Sequence, residues 1–105
     1  MRRGRARRMP SLVLQALARP ENGRPPRFGF TVTTRVGSAV VRNRARRRLK
    51  EAVRLVAPEL ARPGFDYVVI GRHGALSHRF CDILDELRTA LRKIHDERAP
   101  RPGRR

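Results

Sequence analysis

Seven basic residues and a single acid occupy the stretch from Val41 to Arg54, which reads Val-Arg-Asn-Arg-Ala-Arg-Arg-Arg-Leu-Lys-Glu-Ala-Val-Arg. Arginine offers a planar fork of donors that grips a phosphate bidentately, and lysine adds a mobile point charge. Asn43 contributes no charge and is a mediocre helix former, so a specific hydrogen bond is its better use. The chemistry of this stretch is the holding of a polyanion. Bond-breaking chemistry is not written elsewhere in the chain. Neither a Ser/His/Asp, nor a Cys/His, nor a paired-carboxylate arrangement suited to hydrolysis is present. His73, His78 and His95 lack metal-ligand spacing and read as ordinary surface residues. The nine Asp and Glu do not cluster as a protein-only metal nuclease would need. Cys81 is the only cysteine, which excludes an internal disulfide and a cysteine-based zinc site; it is expected to pack as a small hydrophobe.

At about 100° per residue, Val41, Ala45, Leu49, Ala52, Val53 and Val56 form one apolar stripe of a helix. Asn43, Arg47, Lys50 and Arg54 lie opposite. Arg42 and Arg46 flank one edge of the stripe, Arg44 and Arg48 the other. Glu51 alone cannot neutralise this surface, and the mutual repulsion opposes the helix until a negative partner relieves it. Ser38, after Gly37, is the expected N-cap, and the helix is expected over 39–56, ending near Ala57-Pro58.

Around this helix the pattern predicts a small sheet. Residues 1–10 read as a basic flexible arm, or an edge segment that orders only against a partner. Ser11–Ala18 suits a strand, and the loop 19–27, with Asn22-Gly23, suits a hairpin connection. Phe28–Thr34 alternates at period two, with Phe28, Phe30 and Val32 inward and Thr31 and Thr33 on the other face, beside Gln15 if the neighbouring strand follows the same alternation. Phe65–Ile70 reads as a buried strand. Ser77 is the expected cap of a last helix with the stripe Phe80, Ile83, Leu84, Leu87, Leu91 and Ile94. The tail 97–105 is Pro/Gly/Arg-rich and is expected to be disordered. The fold class expected is α+β, a two-layer sandwich: a small, mainly antiparallel sheet with two helices on one face, in the order strand-strand-helix-strand-helix with a strand-helix-strand crossover. Residues 11–96 make the single domain, and the other face of the sheet stays open.

A chain of 105 residues with a net charge of +17 and 39% hydrophobic residues is a globular domain whose charge far exceeds what solubility requires. Nucleic acid is the favoured partner. The chain has no run of roughly 20 apolar residues for a membrane span, and no apolar stretch follows the basic start to make a secretory signal. The apolar stripe of 41–56 is rich in Ala and Val and lacks the Trp or Phe of a membrane-surface helix. A cytoplasmic protein with no membrane partner is the simplest account.

The segment Gly29–Arg54 closely resembles the bacterial ribonuclease P protein component. Its Arg-Asn-Arg signature stands at Arg42-Asn43-Arg44, preceded by Val36-Gly37 and Ala39-Val40-Val41 and followed by Arg46-Arg47-Arg48-Leu49-Lys50-Glu51-Ala52. Asp66–Arg72 and the helix from Phe80 to Ile94 match the family's order of elements, so the resemblance covers roughly residues 11 to 95. It implies an auxiliary subunit of a ribonucleoprotein endonuclease. A catalytic RNA holds the magnesium ions that cut precursor tRNA at its mature 5′ end, and the protein binds that RNA and the 5′ leader of the substrate. Carried over, Arg42, Asn43, Arg44, Arg46, Arg47, Arg48, Lys50 and Arg54 become the RNA contacts, while Gln15, Thr33 and Arg35 fall in the leader cleft. The chain departs from the family pattern in its first ten residues, which hold no aromatic and no room for the family's first helix. A misassigned start codon or a shortened variant with an open cleft would account for this. Gln15 stands where the family commonly has an aromatic, and Thr34 where it often has lysine. A ribosomal or other structural RNA-binding protein is the alternative, and it predicts RNA binding without any effect on precursor tRNA cleavage.

Overall fold

The computed structural model describes residues 4–19 and 24–95. Four strands, β1 (Gly4–Arg8), β2 (Leu12–Ala18), β3 (Arg27–Val32) and β4 (Phe65–Gly71), form one sheet in the order β1-β2-β4-β3. The β1/β2 and β2/β4 pairs are antiparallel, and β3/β4 is parallel. The parallel pair requires a crossover, supplied by α1 (Ala39–Leu60). The short α2 (Gly74–Ser77) and α3 (Phe80–Ile94) follow β4. The α+β order expected from the sequence is therefore present, with β1 and α2 added to it.

Alternation along the strands sets the two faces. Leu12, Leu14 and Ala16 of β2, Tyr67 and Val69 of β4 and Val32 of β3 are buried together with Ala45, Leu49, Ala52, Val53 and Val56 of α1 and Ile83, Leu87, Ala90, Leu91 and Ile94 of α3. The predicted stripes of both helices thus face one core, with Val41, Phe80 and Leu84 half-buried at its rim. On the other face Gln15 lies opposite Ala6 and Val68, and Val13 opposite Arg8 and Ile70.

Several local expectations are corrected. Gly4–Arg8 is an edge strand, not a flexible arm. Its Arg5 Nη1 donates to the carbonyl of Ile94 at 2.7 Å and its Arg7 Nη2 to that of Lys93 at 3.3 Å, so arginines satisfy the last carbonyls of α3. The hairpin expected after β2 is not formed, because β4 lies between β2 and β3; Asn22-Gly23 is outside the described residues, as is the tail 97–105. The neighbour of β3 is accordingly β4, and Thr31 lies opposite Ile70 with Gln15 one strand further away. Helix α1 runs through Pro58 to Leu60. Pro58 leaves the Arg54 carbonyl without its i+4 donor and sets its ring against that carbonyl, a disturbance confined to the last turn of the helix, and the turn closes with Ala61 N–H donating to the Ala57 carbonyl at 2.9 Å. Ser77 ends α2, and the N-cap position of α3 is Arg79, whose side chain makes no capping bond. Cys81 is exposed on α3. His95 is 7% exposed, against the expectation of a surface residue. Its Nε2 hydrogen-bonds the Tyr67 hydroxyl, which also accepts from the Arg62 N–H at 3.0 Å. Burial pushes the Tyr67 phenol above its ordinary value of 10.0.

Candidate nucleic-acid interface

The start of α1 is fixed before any of its charges are placed. Gly37 has φ 154°, and a Cβ there would meet Val41 Cγ1 at 2.9 Å, so the absence of a side chain lets the incoming chain lie against the first turn. Ser38 Oγ then accepts from the Val41 N–H at 3.4 Å, the N-cap expected from sequence. With the apolar stripe seated in the core, Asn43, Arg44, Arg47, Lys50 and Arg54 are exposed, while Arg42, Arg46 and Arg48 are half-buried.

These residues are not equivalent. Asn43 Oδ1 accepts from Arg46 Nη1 at 2.7 Å, which leaves the Asn43 amide NH2 as a donor for an outside acceptor. Lys50 Nζ lies 5.9 Å from the Phe30 ring centroid, a cation–π contact that steadies it over the edge of β3. Arg54 is engaged with Glu51, its Nε donating to Oε1 at 3.1 Å and its Nη2 to Oε2. That hydrogen-bonded pair holds the Glu51 carboxyl below and the Arg54 guanidinium above their ordinary values. Arg48 turns away from solvent and donates to the carbonyls of Leu76 at 3.0 Å and His78 at 2.9 Å. Arg42, Arg44 and Arg47 have no acidic partner within hydrogen-bonding reach among the described residues.

A cleft of about 600 Å³ opens on the uncovered sheet face, where the C-terminal ends of β3 and β4 meet the 3₁₀ turn Thr34–Val36. Thr33, Thr34 and Arg35 line it together with Arg8, Arg72 and His73, over a floor of Val13 and Ile70. Thr33 and Arg35 were expected there. Gln15 is exposed on the same face but lies one pleat along β2 from Val13, outside the cleft lining. Arg8 and His73 were missed: the first belongs to a strand with no apolar pattern, and the second follows a strand end that only the fold turns toward the cleft. Arg72 is fixed by its Nη1 donating to the Met9 carbonyl at 3.0 Å.

The opposite end of the open face holds its one carboxylate, compensated by two arginines. Asp66 accepts from Arg27 at 3.0 and 3.1 Å, and Arg19 Nε lies 3.4 Å away. The hydrogen bond from Arg27 holds this carboxyl below its ordinary 3.8. Among the described residues no group of three or more His, Cys, Asp or Glu could hold a metal ion. No helix among them is long and apolar enough to cross a membrane.

Comparison with known proteins agrees with this arrangement. The family model for ribonuclease P matches residues 1–95. The ribonuclease P protein component of Ruegeria pomeroyi is 57% identical over 77 residues, 72% of this chain and 59% of that protein. That of Gluconacetobacter diazotrophicus is 54% identical over 91 residues, covering 87% of this chain and 78% of the relative. The chain thus spans between about three fifths and four fifths of the length of these two relatives. The fold is that of the RNase P protein from Thermotoga maritima, with a TM-score of 0.73 at 24% identity over 87% of this chain and 84% of the other. It is equally that of the Staphylococcus aureus RNase P protein, with a TM-score of 0.69 at 22% identity over 86% and 80%. With its signature on the exposed face of α1, and with the family model matched from residue 1 to residue 95, the chain belongs to the ribonuclease P protein family.

Proposed function

We propose that the chain is the protein subunit of ribonuclease P, assisting a catalytic RNA in removing the 5′ leader from precursor tRNA in the cytoplasm. The observation that carries this reading is the exposed Arg-Asn-Arg face of α1, whose charges far outnumber the single acid beside them. Arg42, Asn43, Arg44, Arg46, Arg47 and Lys50 contact the catalytic RNA. Arg54 joins them at the cost of sharing its guanidinium with Glu51, and Arg48 is set apart by its carbonyl partners. The open sheet face takes the single-stranded leader, with Thr33 and Arg35 at its cationic end and Gln15 at its middle. Magnesium is held by the RNA, which supplies the hydrolytic chemistry; the side chains of the protein bind, orient and neutralise.

The test is cleavage of a 5′-labelled precursor tRNA at low magnesium by a bacterial ribonuclease P RNA, with and without the chain, beside a protein-only control. Stimulation that requires the RNA is the expected result. Tight binding to the RNA with no stimulation would replace this reading by that of a structural RNA-binding protein.

A further inference from the structure

The Arg48 guanidinium occupies a different environment from the arginines on either side of it. Its Nη1 and Nη2 donate to the carbonyls of Leu76, the penultimate residue of α2, and His78, its C-cap. A helix of so few residues leaves most of its terminal carbonyls without helical partners, and a cationic fork is well matched to two of them. The segment that Arg48 grips begins at Arg72 and His73, which line the cleft. Its other supports are specific. A Cβ at Gly74 would meet the Pro10 carbonyl oxygen at 2.5 Å, so this segment packs backbone to backbone on the β1–β2 turn. The fully buried Ser11 donates to Glu86 Oε1 through its N–H at 2.9 Å and its hydroxyl at 2.6 Å, while Glu86 Oε2 lies 3.4 Å from His78 Nε2.

We infer that Arg48 is a positioning residue: it fixes the Arg72–His78 segment against α1 and so holds the cationic end of the leader cleft at a set distance from the Arg-Asn-Arg face. This deepens the function proposed above and rests on it. Binding of the catalytic RNA along α1 and binding of the leader in the cleft are thereby referred to one rigid frame, joined by a side chain whose sequence context marks it as one more phosphate contact.

The experiment compares Arg48→Ala and Arg48→Lys with Arg47→Ala, an exposed neighbour, in the reconstituted ribonucleoprotein. Arg47→Ala is expected to lower the salt dependence of catalytic-RNA binding by about 0.7–0.9 in log–log slope, the loss of one phosphate contact. Arg48→Ala is expected to leave that slope unchanged and to reduce the preference for leader-bearing over leaderless substrate by about tenfold, with Arg48→Lys failing to restore it because an ammonium lacks the fork. A slope reduced as in Arg47→Ala, or a leader preference left intact, would overturn the inference. Hydrogen exchange on the free chain reads the contact without any RNA. Faster exchange over His73–His78 in Arg48→Ala, and not in Arg47→Ala, supports it, and unchanged exchange overturns it. If the unmodified chain fails to stimulate cleavage, the proposed function falls, while the exchange measurement still decides the role of Arg48.

Discussion

The outer face of α1 and the open face of the sheet are the two surfaces that the proposed function assigns to RNA, yet they are built on opposite plans. On α1 the charge is dense and outward, carried by long side chains, and what is buried beneath it is apolar and regular. On the sheet the floor is short and uncharged, Val13 and Ile70 beside Ala6, Gln15, Val68 and Gly29, and charge is confined to the two ends. Arg8, Arg35 and Arg72 stand at one end, and Asp66 with its two arginines at the other. The first surface is suited to affinity that falls steeply with salt. The second is suited to a strand held at its ends by charge, more strongly where Arg8, Arg35 and Arg72 stand without an acid, and whose bases meet little that is aromatic.

The largest expected effect destroys both surfaces together. Leu49, 1% exposed, seats α1 on the sheet, and Leu49→Asp should cost roughly 3–5 kcal/mol by burying an unpaired charge. Loss of the cooperative thermal transition is the readout; a fully folded variant would show that a different face of α1 is buried. An intermediate effect separates the surfaces. Gln15→Tyr adds a stacking platform to the floor and should tighten leader-bearing substrate by about 1–3 kcal/mol, without changing the affinity for the catalytic RNA alone. Equal gains for leaderless substrate would remove the leader from this face.

The smallest effect concerns the end of the open face at Asp66. Because Asp66 is held below its ordinary 3.8 in the folded chain, its contribution is present above that pH and is lost as pH falls through the lowered value. Asp66→Asn should therefore lower the thermal midpoint modestly at neutral pH and leave it unchanged in strong acid. A midpoint lowered equally in acid would mean that Asp66 acts through packing rather than through its charge.

What the sequence made readable follows the range of the interactions involved. Helix α1, with its cap at Ser38 and its stripe from Ala45 to Val56, rests on spacing within one segment and was legible almost to its last turn. The faces of β2 and β3 were legible for the same reason, since alternation alone turns Gln15 outward and Phe28 inward. Strand β1 was not, because its pattern of arginines acquires meaning only when β2 pairs with it and the end of α3 lies within reach of Arg5 and Arg7. Strand order was hidden as well: the parallel β3/β4 contact depends on where a long helix returns the chain. Single residues fared worst. His95 and Cys81 exchanged the environments expected of them, and Arg48 reads as its neighbours do until the carbonyls of Leu76 and His78 are brought beside it.

Placing β4 between β2 and β3 also dictates an order of assembly. Strands β2 and β3 share no ladder of their own, and their common partner begins only at Phe65, beyond the whole of α1. During synthesis the amino-terminal strands therefore wait for the last of the four before the sheet can close, and most of its pairing is long in sequence separation, which slows folding. Throughout that interval the most cationic segment of the chain is already synthesised and its apolar stripe is uncovered, so the vulnerable period of folding coincides with the first exposure of the surface proposed to bind RNA.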